Sequence, residues 1–220
     1  MPNEFSIVIP IYNGVDLMDV AAPTEVFYCL NGNWPNTQVN VYHVAQTKDS
    51  IATRDGTRIT PHKTFAEAPA ADLLWTPGGD PAVLAEMMYT KAGRRYLDYL
   101  VRVAESAKWV TSVCEGALLA AQAGLLDGYS ATTHWAFMNC LRQFPRITVV
   151  EEGHPRYVID RNRVTGAGIS SGLDESLAIC ELIAGTAVAM AVQLDVQYYP
   201  RPPVWGVIPP AGDCPVVPPN

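Results

Sequence analysis

The residue best suited to chemistry is Cys114, which lies between a predicted strand and a predicted helix. The run WVTSV (109–113) is typical of a buried strand, and the run 115–124 is typical of a helix. A cysteine at such a turn projects over the end of the sheet, and Gly116 leaves room for the bend. The positive end of the helix favours the thiolate. We therefore expect Cys114 to be an accessible, activated nucleophile.

Glu115 places a carboxyl group directly after this thiol. If the carboxyl group is ionised, it raises the pKa of the thiol and offsets the helix dipole. If it is protonated, it can donate a hydrogen bond or serve as the acid of the reaction. It can also point away and cap the first turn of the helix, where acidic residues are common. The sequence leaves these roles open.

The sequence PGG (77–79) ends another apolar run, 72–77. Paired glycines let backbone amides approach a ligand closely, as an oxyanion hole requires. Gly78 and Gly79 are therefore candidates for such a site, although PGG also forms ordinary turns.

Three carboxyl groups follow the first predicted strand, at Asp16, Asp19 and Glu25. Any of them could move a proton for the thiol, and any could simply cap a helix. Pro23 is expected in the first turn of a helix at 22–31, where proline is well tolerated.

His134 and Trp135 stand at the start of a further predicted helix. His134 could serve as a base for Cys114, which is one interpretation. A histidine beside a tryptophan also suits the wall of a binding pocket, which is the other.

The elements that must position these residues alternate between strands and helices. The predicted strands are 5–11, 39–45, 72–77, 109–113 and 157–166, and the predicted helices are 22–31, 81–89, 92–107, 115–124, 134–143 and 171–191. This alternation predicts an α/β fold with a doubly wound, mostly parallel sheet and helices on both faces. Ligands of such sheets bind at the carboxyl ends of the strands, where the candidate residues stand.

Two segments lie outside this alternation. An Asp-Gly turn within 52–60 predicts a hairpin at the edge of the sheet. Residues 1–199 form the predicted domain, and 200–220 carry eight prolines, which predict an extended arm. This arm is either solvated or packed across a partner subunit, since Tyr198, Tyr199 and Trp205 offer apolar anchors.

Composition excludes several classes of function. The net charge of −7 without a basic patch argues against nucleic-acid binding. The apolar run 176–194 carries Glu181 at its centre and lacks basic flanks, which indicates a buried helix and not a membrane span. We expect neither nucleic acid nor membrane as a partner.

The five cysteines are odd in number and show no C-x-x-C spacing. This predicts neither a zinc site nor a disulfide framework, and it favours a reducing, cytoplasmic compartment. Cys29, Cys140 and Cys180 lie among apolar neighbours and are expected in the core.

Three stretches together resemble the ThiJ/PfpI superfamily: PGG after the third strand, TSVCEGALLAAQAGLLDG, and ATTHW at 131–135. Within it, the chain is most similar to the isocyanide (isonitrile) hydratases and to the sensing domains of AraC-type regulators. TGAGISSGLDESLAICELI (165–183) continues the likeness, which runs from the first strand to about Tyr199.

The resemblance implies a flavodoxin-like homodimer that acts on a small molecule without a cofactor or a metal. In the hydratases, a cysteine attacks the isocyanide carbon and water then releases an N-substituted formamide. The segment LMDVAAPTEVF implies that Asp19 is the catalytic aspartate, and the Gly79 amide would lie near the thiol. An acid of raised pKa suits the protonation that this reaction needs.

The chain departs from the resemblance at Glu115, where hydratases carry threonine and peptidase-like members carry histidine. The absence of a histidine at position 115 argues against a Cys-His protease or amidase. The absence of a threonine at the same position puts hydratase activity in question. Two alternatives therefore stay open. One is a non-enzymatic redox or ligand sensor that uses Cys114, and the other is a glyoxalase- or amidase-like hydrolase with His134 as its base.

Overall fold

The computed structural model describes residues 2–219. Its strands are β1 (Asn3–Pro10), β2 (Thr37–Ala45), β3 (Ile51–Ala52), β4 (Arg58–Ile59), β5 (Lys63–Thr64), β6 (Leu73–Thr76), β7 (Trp109–Ser112), β8 (Ser130–Ala131), β9 (Thr148–Val149), β10 (Tyr157–Asp160) and β11 (Arg163–Gly166). Its helices are α1 (Leu17–Tyr28), α2 (Leu30–Asn33), α3 (Pro81–Tyr89), α4 (Arg94–Ala104), α5 (Gly116–Gln122), α6 (Met138–Leu141), α7 (Ser171–Ala184) and α8 (Thr186–Asp195), with a 3-10 turn at Trp135–Phe137.

Seven strands form the central sheet in the order β10-β11-β7-β6-β1-β2-β5. All neighbouring pairs are parallel except the β10–β11 hairpin at one edge. The central strands are apolar and inaccessible to solvent, as Ile7 and Leu74 illustrate. Helices α1 and α7 pack against each other, and α3, α4 and α5 form a second group. The predicted flavodoxin-like α/β fold is confirmed.

Four neighbouring strands bring the candidate site together at their carboxyl ends. β1 leads into α1, β6 into α3, β7 into α5 and β11 into α7, and these strands are adjacent in the sheet. Because parallel strands end at one edge, loops that are distant in sequence meet there.

Several helix boundaries differ from the sequence prediction, and the start of α1 and the end of α7 differ the most. Helix α1 begins at Leu17, five residues earlier than predicted, so Pro23 lies inside the helix and not in its first turn. The predicted helix 171–191 is interrupted at Gly185, whose φ of +89° ends α7. Most of α8 then lies at the surface, so the expectation of one buried helix is wrong for this half. Within residues 2–219, no helix is both long and apolar enough to span a membrane.

The predicted edge hairpin is also placed differently. β3 and β4 pair with each other as a separate two-stranded sheet, because their loop packs over the β1–α1 connection. There, Ala52 accepts a hydrogen bond from the Gly14 amide at 2.7 Å, and the Arg54 amide donates to Val15 at 2.9 Å.

The C-terminal arm (200–219) contains neither helix nor strand, and it returns to its own domain. Cys214 forms a disulfide with Cys140 of α6, and Val216 is only 2% exposed. Cys140 is buried as predicted, as is Cys180, but the expectation of no disulfide is wrong, and Cys29 is only half-buried. The pairing joins residues 74 positions apart and depends on the path of the arm, which cysteine spacing alone does not reveal.

Candidate active site

Cys114 occupies a sharp turn between β7 and α5, with a left-handed φ of +57°. Its amide donates to the Ala167 carbonyl at 2.8 Å, and its carbonyl accepts from the Thr133 hydroxyl at 2.7 Å. A side chain at Gly116 would collide with the carbonyl of Thr76, so α5 can approach β6 only with glycine there. These contacts hold a backbone conformation that is costly for a residue other than glycine.

The environment of the Cys114 thiol differs from the sequence expectation in two respects. The residue has no solvent exposure, so it is not accessible in this conformation. Burial raises the pKa of the thiol well above its ordinary value, and the neighbouring Asp19 and Glu115 raise it further. The positive end of the seven-residue helix α5 lowers the pKa of the thiol too little to offset these effects. The resting group is therefore a neutral thiol and not a thiolate.

Glu115 faces the thiol and is 2% exposed. It stands at the N-cap position of α5 but makes no capping hydrogen bond with its side chain, so the capping interpretation is wrong. Burial raises the pKa of this carboxyl group, while a hydrogen bond with the Cys114 thiol lowers it. The group is therefore placed to accept the proton of the thiol.

Asp19 lies in the first turn of α1 and is fully buried. Its Oδ2 accepts a hydrogen bond from the Gly78 amide at 2.9 Å, whereas Oδ1 has no partner within residues 2–219. Burial raises the pKa of Asp19 well above its ordinary value, although the Gly78 hydrogen bond opposes this. A carboxyl group with a free oxygen and a raised pKa can act as an acid near neutral pH.

Pro23 explains how α1 is fixed at this point. Proline lacks the amide that would bond the carbonyl of Asp19, four residues earlier. The indole Nε1–H of the buried Trp75 donates to that carbonyl instead, at 2.9 Å. A proline that would otherwise weaken the helix thus allows β6 to hold the turn that carries Asp19.

The other two candidate carboxyl groups have different surroundings. Asp16 precedes α1, is 8% exposed and contacts Arg54 at 3.4 Å. Burial raises its pKa, and Arg54 lowers it. Glu25 lies on the exposed face of α1, outside the cluster, because six residues of helix turn it away from Asp19.

Gly78 and Gly79 fit closely against the site. A side chain at Gly78 would collide with Glu115 and lie 2.9 Å from Cβ of Cys114, and one at Gly79 would collide with the Gly14 carbonyl. The Gly78 amide is already bonded to Asp19. The Gly79 amide has no acceptor in the described part of the chain, so it is the one of the two that remains available to a ligand.

His134 and Trp135 line a cavity of about 310 Å³, together with Thr133 and Ala167, which bond the backbone of Cys114. His134 accepts the amide hydrogen of Ala136 with Nδ1 at 3.2 Å, and burial lowers its pKa. Its ring packs at 5.5 Å from that of Trp135. Since no hydrogen bond joins His134 to the thiol within residues 2–219, this geometry matches the pocket-wall interpretation.

Glu175 was not anticipated from the sequence. It lies in α7, has no solvent exposure, and neither of its carboxyl oxygens has a partner in the range 2–219. Burial raises its pKa well above the ordinary value, and Asp19 raises it further. The spacing of Glu175 in the sequence indicates its burial. It lies four residues before the buried Ile179 and so shares the buried face of the helix.

One group of residues in the described chain has ligands suited to a metal ion. Ligand atoms of Asp16, Asp19, Cys114 and Glu115 all lie within 4.8 Å of one another. Thiolate and carboxylate groups are ligands that zinc accepts, and these groups would have to lose their protons to bind it.

Comparison with known proteins places this site in context. Residues 5–182 match the DJ-1/PfpI family. The chain is 34% identical over 193 residues to the isonitrile hydratase of Pseudomonas putida, covering 88% of this chain and 78% of that protein. It is 31% identical over 139 residues to the HTH-type transcriptional regulator GbdR of Pseudomonas aeruginosa, covering 63% of this chain and 35% of the regulator.

Two solved structures have a fold similar to that of this chain. A ThiJ/PfpI family protein from Pseudomonas syringae superposes with a TM-score of 0.79 at 33% identity, over 92% of this chain and 78% of that one. Drosophila melanogaster DJ-1beta superposes with a TM-score of 0.71 at 18% identity, over 89% and 99% of the respective chains. This second likeness concerns the fold alone. The predicted resemblance is confirmed.

Proposed function

Because the chain belongs to the DJ-1/PfpI family, we propose that it is an enzyme that hydrates an isocyanide to an N-substituted formamide through Cys114. The observation that carries the proposal is the buried cluster of the Cys114 thiol with Glu115 and Asp19, whose sulfur and carboxyl oxygen atoms lie within 4.8 Å of one another, with Asp19 Oδ1 free. The similarity to an isonitrile hydratase supports the choice of substrate.

In the first step, the sulfur of Cys114 forms a bond to the terminal carbon of the isocyanide. Glu115 takes the thiol proton and returns it to that carbon, which gives a thioimidate, R–N=CH–S–Cys. A neutral thiol suits this step, because nucleophilic attack and proton transfer can occur together when a base touches the nucleophile.

In the second step, a water oxygen bonds to the thioimidate carbon. Asp19 passes one water proton to the nitrogen, the carbon–sulfur bond breaks, and the other water proton returns to the sulfur. The product is R–NH–CHO, and the enzyme regains its thiol. The free amide of Gly79 is our candidate donor to charge that develops during these steps.

The test is formamide production from cyclohexyl isocyanide by the wild type, Cys114→Ala and Glu115→Thr. We expect wild-type turnover and a loss of roughly 10³-fold or more in Cys114→Ala, since the covalent step is removed. Glu115→Thr should retain the fold but lose rate if the carboxyl group transfers the thiol proton. Turnover that survives in Cys114→Ala, or a wild type without turnover, would overturn the proposal.

A ligand sensor is the second candidate function, and the similarity to a transcriptional regulator favours it. In that case ligand binding would survive in Cys114→Ala. The redox form of this hypothesis has less support, because a buried thiol with a raised pKa reacts slowly with peroxide. The hydrolase alternative has less support as well, since His134 bonds Ala136 and not the thiol.

We further propose that the protein is a homodimer. Apolar side chains that are more than half exposed on α1 and α8 support this, namely Tyr28, Met190 and Leu194. Light scattering coupled to size exclusion should give twice the chain mass of 23.9 kDa. A mass of one chain at micromolar concentration would contradict it.

A cytoplasmic location remains a prediction. It rested on cysteines without a disulfide pattern, and the Cys140–Cys214 bond removes that support, because disulfides persist mainly in oxidising compartments. Thiol labelling of protein from freshly lysed cells should find both cysteines reduced if the protein is cytoplasmic, and both oxidised otherwise.

A further inference from the structure

The cavity beside Cys114 is largely apolar and small. Its apolar lining comes from Trp135, Met138, Pro155, Ile169 and Ile208. Its volume of about 310 Å³ lies at the lower end of ligand pockets, which span roughly 300–1,000 Å³. Arg156 also lines it, but its guanidinium group is bonded to Asp174 at 2.8 Å and to Ser170 at 3.0 Å. The cavity therefore favours a neutral, apolar group.

The cavity is connected to the thiol through the segments that hold Cys114. Thr133 and Ala167 line it, and these residues bond the carbonyl and the amide of Cys114. Ile169 also lines it, and its amide contacts the Cys114 sulfur. The thiol itself does not line the cavity, but three of the lining residues contact Cys114 directly.

The C-terminal arm supplies one wall of this cavity. The apolar side chains that precede Ile208 in the arm are far more exposed, with Val204 at 78%, Trp205 at 89% and Val207 at 93%. Ile208 differs, since it is 41% exposed and lines the cavity. The arm therefore turns one apolar side chain towards the site, while its neighbours face solvent.

The position of the arm is fixed by the short helix that also shapes the cavity. In α6, Met138 lines the cavity, and the next two residues hold the arm. The Asn139 side chain donates to the carbonyls of Ala211 and Gly212 at 3.2 and 2.9 Å, and Cys140 bonds Cys214. The disulfide thus holds Ile208 in place from six residues away.

We propose that the arm completes the substrate-binding site, with Ile208 as a specificity-determining residue that contacts an apolar substituent on the isocyanide nitrogen. This rests on the proposed function. The Cys140–Cys214 disulfide positions the arm, so breaking it weakens binding of substrates with a bulky apolar substituent and leaves small substrates unaffected.

The test compares methyl isocyanide with cyclohexyl isocyanide in the wild type, Ile208→Ala and the matched control Val207→Ala. In Ile208→Ala, KM for the cyclohexyl substrate should rise roughly fivefold to tenfold, because apolar contact is lost. KM for the methyl substrate should stay within about twofold, as should both values in Val207→Ala. Equal changes for both substrates, or no change, would overturn the inference.

The role of the disulfide is tested with Cys140→Ser/Cys214→Ser and with dithiothreitol-treated wild type. Both should reproduce the substrate-dependent rise in KM that Ile208→Ala shows. A KM for cyclohexyl isocyanide that equals the oxidised wild-type value would overturn this part, whereas the Ile208→Ala result does not depend on it.

A binding measurement separates this inference from the proposed function. Calorimetry with N-cyclohexylformamide should show weaker binding to Ile208→Ala than to the wild type and Val207→Ala. If the wild type turns over no isocyanide but this pattern is found, the proposed function fails while the role of the arm stands. If N-cyclohexylformamide does not bind, or binds all three proteins equally, the inference fails.

Discussion

Cys114, Asp19 and Glu115 influence one another's protonation because they share a buried space with few positive charges. Burial is the largest cause of the raised pKa in each case, and neighbouring acids raise the pKa of all three groups further. Arg54 contacts only Asp16 within this cluster, at 3.4 Å. The Cys114 thiol and the Asp19 carboxyl group therefore keep their protons to a higher pH than they would in water.

At this scale, Glu115→Gln should lower the pKa of the Cys114 thiol. The substitution removes a negative charge that favours the protonated thiol. The midpoint of the pH dependence of iodoacetamide alkylation should therefore move to lower pH, by roughly one unit. Glu25→Gln, on the exposed face of α1, is the control. An unchanged or higher midpoint in Glu115→Gln would contradict the prediction.

Glu175→Gln should stabilise the protein at pH 7. The pKa of Glu175 is higher in the folded protein than in the unfolded chain. As pH rises above about 4, the carboxyl group of the unfolded chain therefore ionises while that of the folded protein stays protonated, and this difference lowers the free energy of unfolding. The substitution should increase the free energy of unfolding by about 1–3 kcal/mol at pH 7. At pH 4 the gain should shrink, because the carboxyl group is then largely protonated in both states.

Urea denaturation at the two pH values measures this difference. Glu181→Gln, on the exposed surface of the same helix, should change the free energy of unfolding little at either pH. A gain from Glu175→Gln that is as large at pH 4 as at pH 7 would show that ionisation is not its cause.

At the scale of elements, the site depends on close approach between backbones. The loops after β1 and β6 are joined through Asp16, whose amide donates to the Gly78 carbonyl at 3.0 Å. Helix α5 approaches β6 through Gly116, and Pro23 leaves the carbonyl of Asp19 free for Trp75. The elements thus hold the acids and the thiol more rigidly than side-chain packing alone would.

Gly116→Ala should therefore destabilise the protein by about 2–4 kcal/mol, because the added methyl group meets backbone atoms of Thr76 and Pro77 that cannot move independently. Gly32→Ala in α2 is a matched control, since nothing lies within 4 Å of the added atom. It should be neutral or slightly stabilising. Equal melting temperatures for Gly116→Ala and Gly32→Ala would contradict this prediction.

At the scale of the whole molecule, the arm is part of the folded domain. The Cys140–Cys214 bond closes a loop over 74 positions, and Val216 is buried beyond it. Such a cross-link restricts the unfolded chain, an effect that grows with loop length. The arm therefore contributes to stability as well as to the wall of the cavity.

We expect Cys140→Ser/Cys214→Ser to lower the free energy of unfolding by about 2–4 kcal/mol relative to the oxidised wild type. Cys29→Ser, at a half-buried free cysteine, is the control for loss of a sulfur atom. The wild type in dithiothreitol should behave like the double variant. If the double variant and the oxidised wild type have the same free energy of unfolding, the disulfide does not stabilise the folded protein.

Much of the fold followed from the sequence because local patterns reflect burial directly. The short apolar runs at 5–11 and 109–113 indicated strands covered on both faces, and α3 (Pro81–Tyr89) matched its prediction residue for residue. The boundaries that failed depend on distant partners. Helix α1 starts before Pro23 because Trp75, about fifty residues away, compensates for the missing hydrogen bond.

The sequence by itself determined the type of sheet, the edge where the candidate residues lie, and the chemical groups available there, because these depend on local periodicity and residue type. Only the tertiary structure decided that Glu115 faces the thiol, that Glu25 lies outside the cluster, that Glu175 lies buried near Asp19, and that Cys140 pairs with Cys214. The physical reason is that protonation and pairing depend on burial and on neighbours from four separate loops, which the order of residues along the chain does not specify.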